Sequence, residues 1–111
     1  MLPIKNRLVK KNDFDQVFKG GKSFKEGFLV FKMKSGTMEQ ARFGFVVSKK
    51  ISPKAVVRNT VKRRLRKITE QYLAKTKKPI DGIFITLPGI EKIAYLKLQE
   101  TVEVLLKKAN V

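Results

Sequence analysis

KAVVRNTVKRRLRK, residues 54–67, is the stretch that constrains the rest of the chain most strongly. On a helix of about 3.6 residues per turn, the apolar residues of this stretch and its continuation share one stripe: Val57, Val61, Leu65, Ile68 and Tyr72. Pro53, directly after Ser52, favours a helix start. The pattern predicts a helix from about residue 54 to residue 74 or 75, with this stripe packed on the core.

The opposite side of the predicted helix carries five cations and one amide: Arg58, Asn59, Lys62, Arg63, Arg66 and Lys67. Like charges four residues apart mildly destabilise a helix, so their repetition indicates an anion outside the chain. Arginine suits phosphate because its planar fork donates two parallel hydrogen bonds. A basic solvated helix without a partner is the simpler alternative. A helix on a membrane surface is disfavoured because its apolar face is needed to cover a sheet.

The flanking sequence predicts two further helices and a sheet. Phe14, Val17 and Phe18 share one face of a predicted helix over Lys11–Gly20, with Asn12 or Asp13 as its N-cap and glycine as its end. Strands are predicted over residues 28–33, 41–48 and 80–87, with a short additional strand near residues 22–25. Residues 28–33 and 41–48 are expected to pair as an antiparallel hairpin. The last helix is predicted over Tyr95–Lys108.

Composition narrows the functional classes. The 111 residues suit one domain, residues 1–111, and 26 Lys and Arg against 9 Asp and Glu give a formal charge of +17. This excess predicts an anionic partner, with nucleic acid ahead of a membrane surface. The chain has no cysteine and no histidine, which excludes disulfides, thiolate metal sites and the commonest general base. No apolar run reaches the length of a membrane span, and the N-terminus does not look like a secretory signal, so we expect a cytoplasmic protein.

A family resemblance rests on these same residues. Ala55, Arg58-Asn59, Lys62-Arg63 and Arg66 together resemble the basic helix signature of the bacterial ribonuclease P protein. The opening KNRLVKKNDFDQVFKGG and the stretch FGFVVSKKI before the helix are similar to the same family, so the resemblance covers the whole chain. One position departs from the pattern, since Thr60 stands where the family usually has arginine.

The resemblance implies a fold and an activity. It implies an α+β single domain, an α/β sandwich of order αβββαβα whose mixed central sheet includes a left-handed βαβ crossover, against the usual right-handed rule. It implies an RNA-binding subunit that works with a catalytic RNA to remove the 5′ leader from precursor tRNA. In that arrangement the RNA binds the magnesium ions and performs the hydrolysis, while the protein has no catalytic residue and no metal site of its own and needs no protein oligomer.

The resemblance also implies a cleft that binds the single-stranded leader. The matching positions are three aromatic residues with basic flanks: Phe14, Phe18, Phe31, Lys11 and Lys32. Bases stack on aromatic rings whatever their identity, and cations follow the backbone. A purely structural role in the core is the alternative for the phenylalanines, and we place Phe28, Phe43, Phe45 and Phe84 in the core. A turn before the basic helix, Ser48, Lys49 and Lys50, is a further candidate for phosphate contacts.

Two other functions fit the composition. One is a ribosome-associated or general RNA-binding protein with no enzymatic role. The other is a nuclease that acts without RNA, which is the weakest hypothesis because histidine is absent and the carboxylates do not cluster. Asp13 and Asp15 lie two apart on a predicted helix, so their side chains diverge.

Overall fold

The computed structural model describes residues 2–36, 39–76 and 78–111. The main elements are α1 (Lys11–Gly20), β1 (Lys22–Glu26), β2 (Leu29–Ser35), β3 (Arg42–Val46), α2 (Ala55–Tyr72), β4 (Ile80–Thr86) and α3 (Tyr95–Lys108). Short 3-10 turns cover Ile4–Asn6, Leu73–Lys75 and Ile90–Lys92. The order αβββαβα is the predicted one, and α1 and α3 have the predicted bounds.

The four strands form one mixed sheet in the order β1-β2-β4-β3. β4 pairs antiparallel with β2, with Phe31 opposite Phe84, and parallel with β3, with Phe45 opposite Phe84. The predicted antiparallel hairpin of β2 and β3 is therefore wrong, because β4 lies between them. The hairpin of the fold is β1 with β2, turning at Gly27, which has a positive φ of 55° that glycine adopts at low cost.

The main core lies on one face of the sheet, under α2 and α3. Phe31, Phe43 and Phe84 are fully buried or nearly so, and the rings of Phe31 and Phe84 stack with centroids 4.6 Å apart. The α2 stripe contributes Val61 and Leu65 to this core. Gly82 is required beneath the rings, because a Cβ there would lie 2.6 Å from Phe31 Cε1.

The other face of the sheet is covered by α1 and by the segment that precedes it. Val17 and Leu8 pack on Ile83 of β4, and Phe14 lies beside them half-buried. A helix of 10 residues is too short to cover four strands. Part of this face therefore stays accessible, with three half-buried apolar residues: Val30, Val46 and Ile85.

Two local predictions need correction. Neither Asn12 nor Asp13 caps α1, since Lys10 occupies the N-cap position without a side-chain hydrogen bond. Asp13 has a different partner, described below. Phe28 is not in the core but is 41% exposed, because it directly follows the β1–β2 turn.

Phe31→Ala should reduce the free energy of unfolding by about 3–5 kcal/mol, since it empties a buried aromatic site. Phe18→Ala, at a side chain that is 39% exposed, should cost less than half as much. Urea unfolding of both variants measures the difference. Equal losses would contradict the assignment of the two rings to different environments.

Candidate RNA-binding surfaces

The first candidate surface, which we call the α1-side surface, consists of Phe14, Phe18, Lys32 and the accessible residues Val30, Val46 and Ile85. The rings of Phe14 and Phe18 lie with centroids 6.4 Å apart. Lys32 Nζ lies 5.6 Å from the centroid of Phe18, within the range of a cation–π contact. An aromatic ring with an adjacent cation is the combination that binds a base and its phosphate in single-stranded nucleic acid.

The sheet itself holds Phe14 in this position. The ring lies against Gly44 of β3, where a Cβ would lie 2.5 Å from Phe14 Cζ. Any larger residue at position 44 would push the ring away from the sheet. The glycine in the middle of β3 is therefore explained by the close approach of this ring.

Phe31 does not belong to the α1-side surface. Its side chain is 0% exposed and packs in the main core. Successive strand residues point to opposite faces, so Phe31 and Lys32 of β2 cannot line the same surface. The side chain of Lys32 lies on the α1 side of the sheet and that of Phe31 lies in the core. The prediction that Phe31 lines the leader cleft is therefore wrong. Lys11, in the first turn of α1, is exposed.

An arginine–carboxylate cluster fixes α1 to the sheet. Arg42 of β3 donates two hydrogen bonds to Asp81 of β4, from Nε at 2.9 Å and from Nη2 at 2.8 Å. Its Nη1 reaches Asp13 Oδ2 of α1 at 3.3 Å. The hydrogen bonds that Arg42 donates to Asp81 raise the pKa of the Arg42 guanidinium above its ordinary value. The cluster therefore joins three elements through one cation.

The sequence contains a signal for this cluster. Asp81 lies within the apolar strand IDGIFIT and is 8% exposed, and a carboxylate in such a strand requires a cation or several donors. The nearest cation on a neighbouring strand would then be the candidate. Asp13 gives no such signal, because an acidic residue near a helix start is ordinary.

The second candidate surface is the basic face of α2, formed by Arg58, Asn59, Lys62, Arg63, Arg66 and Lys67. Asn59, Arg63 and Lys67 are exposed, whereas Arg58, Lys62 and Arg66 are half-buried. Arg58 Nη1 donates to the carbonyl oxygen of Ser52 at 2.8 Å, which links the helix to the turn before it. Thr60 stands at the position where the sequence departs from the family pattern. Its hydroxyl donates to the Val56 carbonyl oxygen of the same helix at 2.9 Å.

The turn before α2 presents Ser48, Lys49 and Lys50, and all three are exposed. Ser48 closes the turn by accepting a backbone hydrogen bond from Ile51 at 3.0 Å. Its side-chain hydroxyl accepts from the Lys50 amide at 3.3 Å. The predicted helix start at about residue 54 lies one residue early, since α2 begins at Ala55 with Lys54 as its N-cap.

A cavity joins the two candidate surfaces at the β3 edge. It has a volume of about 170 Å³ and is lined by Phe14 from the first surface, by Gly44 beneath the Phe14 ring, and by Arg66 from the second surface. The rest of its wall comes from residues 7–9 and from Phe43 and Phe45 of β3. The sequence does not show this junction, because its residues come from four separate segments of the chain.

The carboxylates offer no fit for a resident metal ion. Within residues 2–36, 39–76 and 78–111, no three acidic side chains gather at one place. Asp13 and Asp81, which do meet, share the Arg42 guanidinium, whose charge repels a metal cation. None of the helices in the described part of the chain combines the length and apolar character of a membrane span.

Together these features define a small basic α+β protein with an aromatic surface and an arginine-rich helix. The model of the family Ribonuclease P matches residues 2–110, and the chain belongs to this family.

Relatives and solved structures agree with this assignment. The chain is 35% identical to the ribonuclease P protein component of a Pseudanabaena species, over 100% of this chain and 97% of that protein. It is 32% identical to the ribonuclease P protein component from Syntrophomonas wolfei, over 99% of this chain and 92% of that protein. The Staphylococcus aureus RNase P protein superposes with a TM-score of 0.85 at 30% identity, covering 96% of each chain. The Thermotoga maritima protein gives a TM-score of 0.83 at 29% identity, covering 92% and 96%.

Arg42→Ala should destabilise the protein by about 3 kcal/mol, because it leaves the Asp81 carboxylate inside the fold without its cation. Urea unfolding of the variant measures this loss. Arg63→Ala, which removes an exposed cation from α2, is the matched control and should stay within about 0.5 kcal/mol of the parent. A result for Arg42→Ala no larger than for the control would show that the cluster does not hold α1.

Proposed function

We propose that the chain is the RNA-binding subunit of a ribonuclease P ribonucleoprotein, which removes the 5′ leader of precursor tRNA. Family membership over residues 2–110 supports the class of enzyme. The observation that supports the division of labour is the junction at the β3 edge, where the aromatic surface meets the basic helix. A general RNA-binding role outside ribonuclease P is the alternative, and the family does not favour it.

The α1-side surface is assigned to the leader. The exposed part of Phe18 offers a ring on which an unpaired base can stack, with Phe14 as its neighbour. Lys32 lies beside the ring and Lys11 lies in the first turn of the same helix, where both can follow the phosphates. Stacking is indifferent to base identity, so this surface binds single strands of varied sequence.

The basic face of α2 and the turn at Ser48, Lys49 and Lys50 are assigned to the catalytic RNA. Within the described residues, no carboxylate partner is found for Arg63 or Lys67, so their charge is available to phosphate. Arg66, at the junction cavity, lies where the two RNA strands would approach each other.

Chemistry at the scissile phosphate is assigned to the RNA subunit and its magnesium ions. The protein's residues bind and orient: they hold the leader on one side of the β3 edge and the catalytic RNA on the other. This arrangement lowers the entropic cost of bringing substrate and catalyst together.

Phe18→Ala should weaken binding of precursor tRNA to the reconstituted holoenzyme by about 1–3 kcal/mol, the value of one lost base–aromatic stack. Binding of mature tRNA, which has no leader, should be unchanged. Phe28→Ala is the matched control, since Phe28 is similarly exposed at 41% and lies away from the α1-side surface. The measurement is the dissociation constant of the holoenzyme for each tRNA form. Reactions without the catalytic RNA serve as a blank that shows whether the protein alone cleaves the substrate.

Two outcomes would count against this assignment. Equal losses for precursor and mature tRNA would mean that Phe18 does not contact the leader. Equal losses for Phe18→Ala and Phe28→Ala would mean that any exposed ring has the same effect.

The triple variant Lys62→Gln, Arg63→Gln and Lys67→Gln should weaken binding of the catalytic RNA and reduce its salt dependence. Each lost phosphate contact lowers the slope of log affinity against log salt by about 0.7 to 0.9. The control removes three exposed lysines elsewhere, Lys5, Lys92 and Lys97, by the same change. An identical slope for both variants would show that only net charge matters and would contradict a defined RNA surface on α2.

A further inference from the structure

A third basic surface lies at the other end of the sheet, away from the β3 edge. A groove of about 940 Å³ opens where β1 begins and β2 ends, beside the C-terminal end of α3. Lys22, Lys34, Lys78 and Lys108 line it together with Phe24 and Met33. Lys34 alternates with Met33 on β2 and reaches the groove around the end of the sheet, beside Gly20. We call it the lysine-rimmed groove. Neither the leader nor the catalytic RNA is assigned to it above.

The charge of the groove is one-sided. None of the described residues that line it is acidic. Lys108 is already engaged, because its Nζ donates to Glu26 Oε1 at 2.8 Å and to the Lys25 carbonyl at 3.2 Å. For Lys22, Lys34 and Lys78, no carboxylate partner is found in the described ranges. Three cations around a cavity without an acid make an electrostatic site for an anion.

The floor of the groove is apolar and faces away from the α1-side surface. Phe24 and Met33 are half-buried and pack on the main core, and Phe24 pairs with Phe31 across β1 and β2. Side chains alternate along a strand, so Phe24 lies on the opposite face of the sheet from Ser23 and Lys25. A ligand on this floor would not compete with one that stacks on Phe18.

We propose that the lysine-rimmed groove binds a second single-stranded segment of RNA, with phosphates at Lys22, Lys34 and Lys78 and a base against Phe24 and Met33. An aromatic floor between cations is the composition of single-strand sites. The volume is at the upper end of the range of about 300–1,000 Å³ for ligand cavities, which leaves room for more than a phosphate ion. A bilayer is a poorer fit, because membrane binding needs an apolar face that protrudes, and here the apolar residues are recessed.

Met33 provides a direct probe of the groove. The chain has three methionines, so carbon-13 labelling of their methyl groups gives a spectrum with few resonances, and Met33→Leu identifies the signal of Met33. Titration of the full chain with oligouridylate should shift this signal. The double variant Lys22→Gln and Lys78→Gln should weaken the affinity read at Met33 and lower its salt slope by about 1.4, or about 0.7 for each single-strand phosphate contact.

Three controls make the result specific. The double variant Lys92→Gln and Lys97→Gln removes the same charge elsewhere and should leave the midpoint at Met33 near that of the parent. The double variant Lys22→Arg and Lys78→Arg keeps the charge and should retain binding. Phe18→Ala should leave the Met33 titration unchanged, so that failure of leader binding and failure of this site can be distinguished.

Other results would overturn the proposal. An unmoved Met33 signal at saturating oligouridylate would show that RNA does not enter the groove. Equal effects of the two Lys→Gln double variants would show attraction by net charge alone. A Met33 shift produced by phosphatidylserine vesicles and not by oligouridylate would assign the groove to a membrane surface.

Discussion

The position of β4 between β2 and β3 is the constraint on which the rest of the fold depends. A strand with neighbours on both sides and helices on both faces is largely apolar, and every β4 residue except Ile85 is buried. Its two polar side chains are hydrogen-bonded, Asp81 to Arg42 and Thr86 to the Val46 carbonyl oxygen. Its parallel pairing with β3 requires a crossover, and α2 supplies it. Because α2 and α3 share one face, α1 and the segment that precedes it are left to cover the other.

The α1-side surface is accessible because α1 is too short to cover the whole face of the sheet. If a longer helix lay over Val30, Val46 and Ile85, the sheet would be closed and Phe18 would be part of a second core. The short helix leaves its second phenylalanine at the margin between core and solvent. The Arg42 cluster secures the helix from the opposite end of the same sheet face, so the aromatic rings need not be buried to hold α1.

The acidic residues are largely engaged within the fold. Arg42 forms ion pairs with Asp13 and Asp81, and Lys108 pairs with Glu26. Lys107 lies 3.3 Å from Glu103. The hydrogen bond from Lys108 lowers the pKa of the Glu26 carboxyl. With 9 carboxylates for 26 cations, few acids remain to neutralise the surface. The resulting repulsion disfavours the isolated folded chain, and an RNA that binds only the folded form offsets it by mass action.

Local sequence patterns predicted most of the helices and strands. The errors concern how segments far apart in the chain pair and pack. The bounds of α1 and α3 follow from helical periodicity and, for α1, from the terminal glycine. The pairing of β2 with β3 was wrong because a hairpin is the default for consecutive strands, and nothing within residues 28–48 shows that a strand from residues 80–86 enters between them. The prediction that Phe31 joins Phe18 in one cleft was wrong, and the sequence contains the reason. Phe31 and Lys32 are neighbours on one strand, so only one of the two side chains can lie on the same face as Phe18.

The chemistry of the candidate surfaces suits open, shallow sites better than one deep pocket. Contacts to phosphates position a nucleic acid without reading its sequence, and stacking accepts every base. A protein that uses only these two kinds of contact gains affinity by spreading them over several shallow surfaces. In a body of 35 × 27 × 24 Å, surfaces on opposite faces of one sheet can be occupied together. In the proposed arrangement, the sheet would set the distance between RNA segments bound on its two faces.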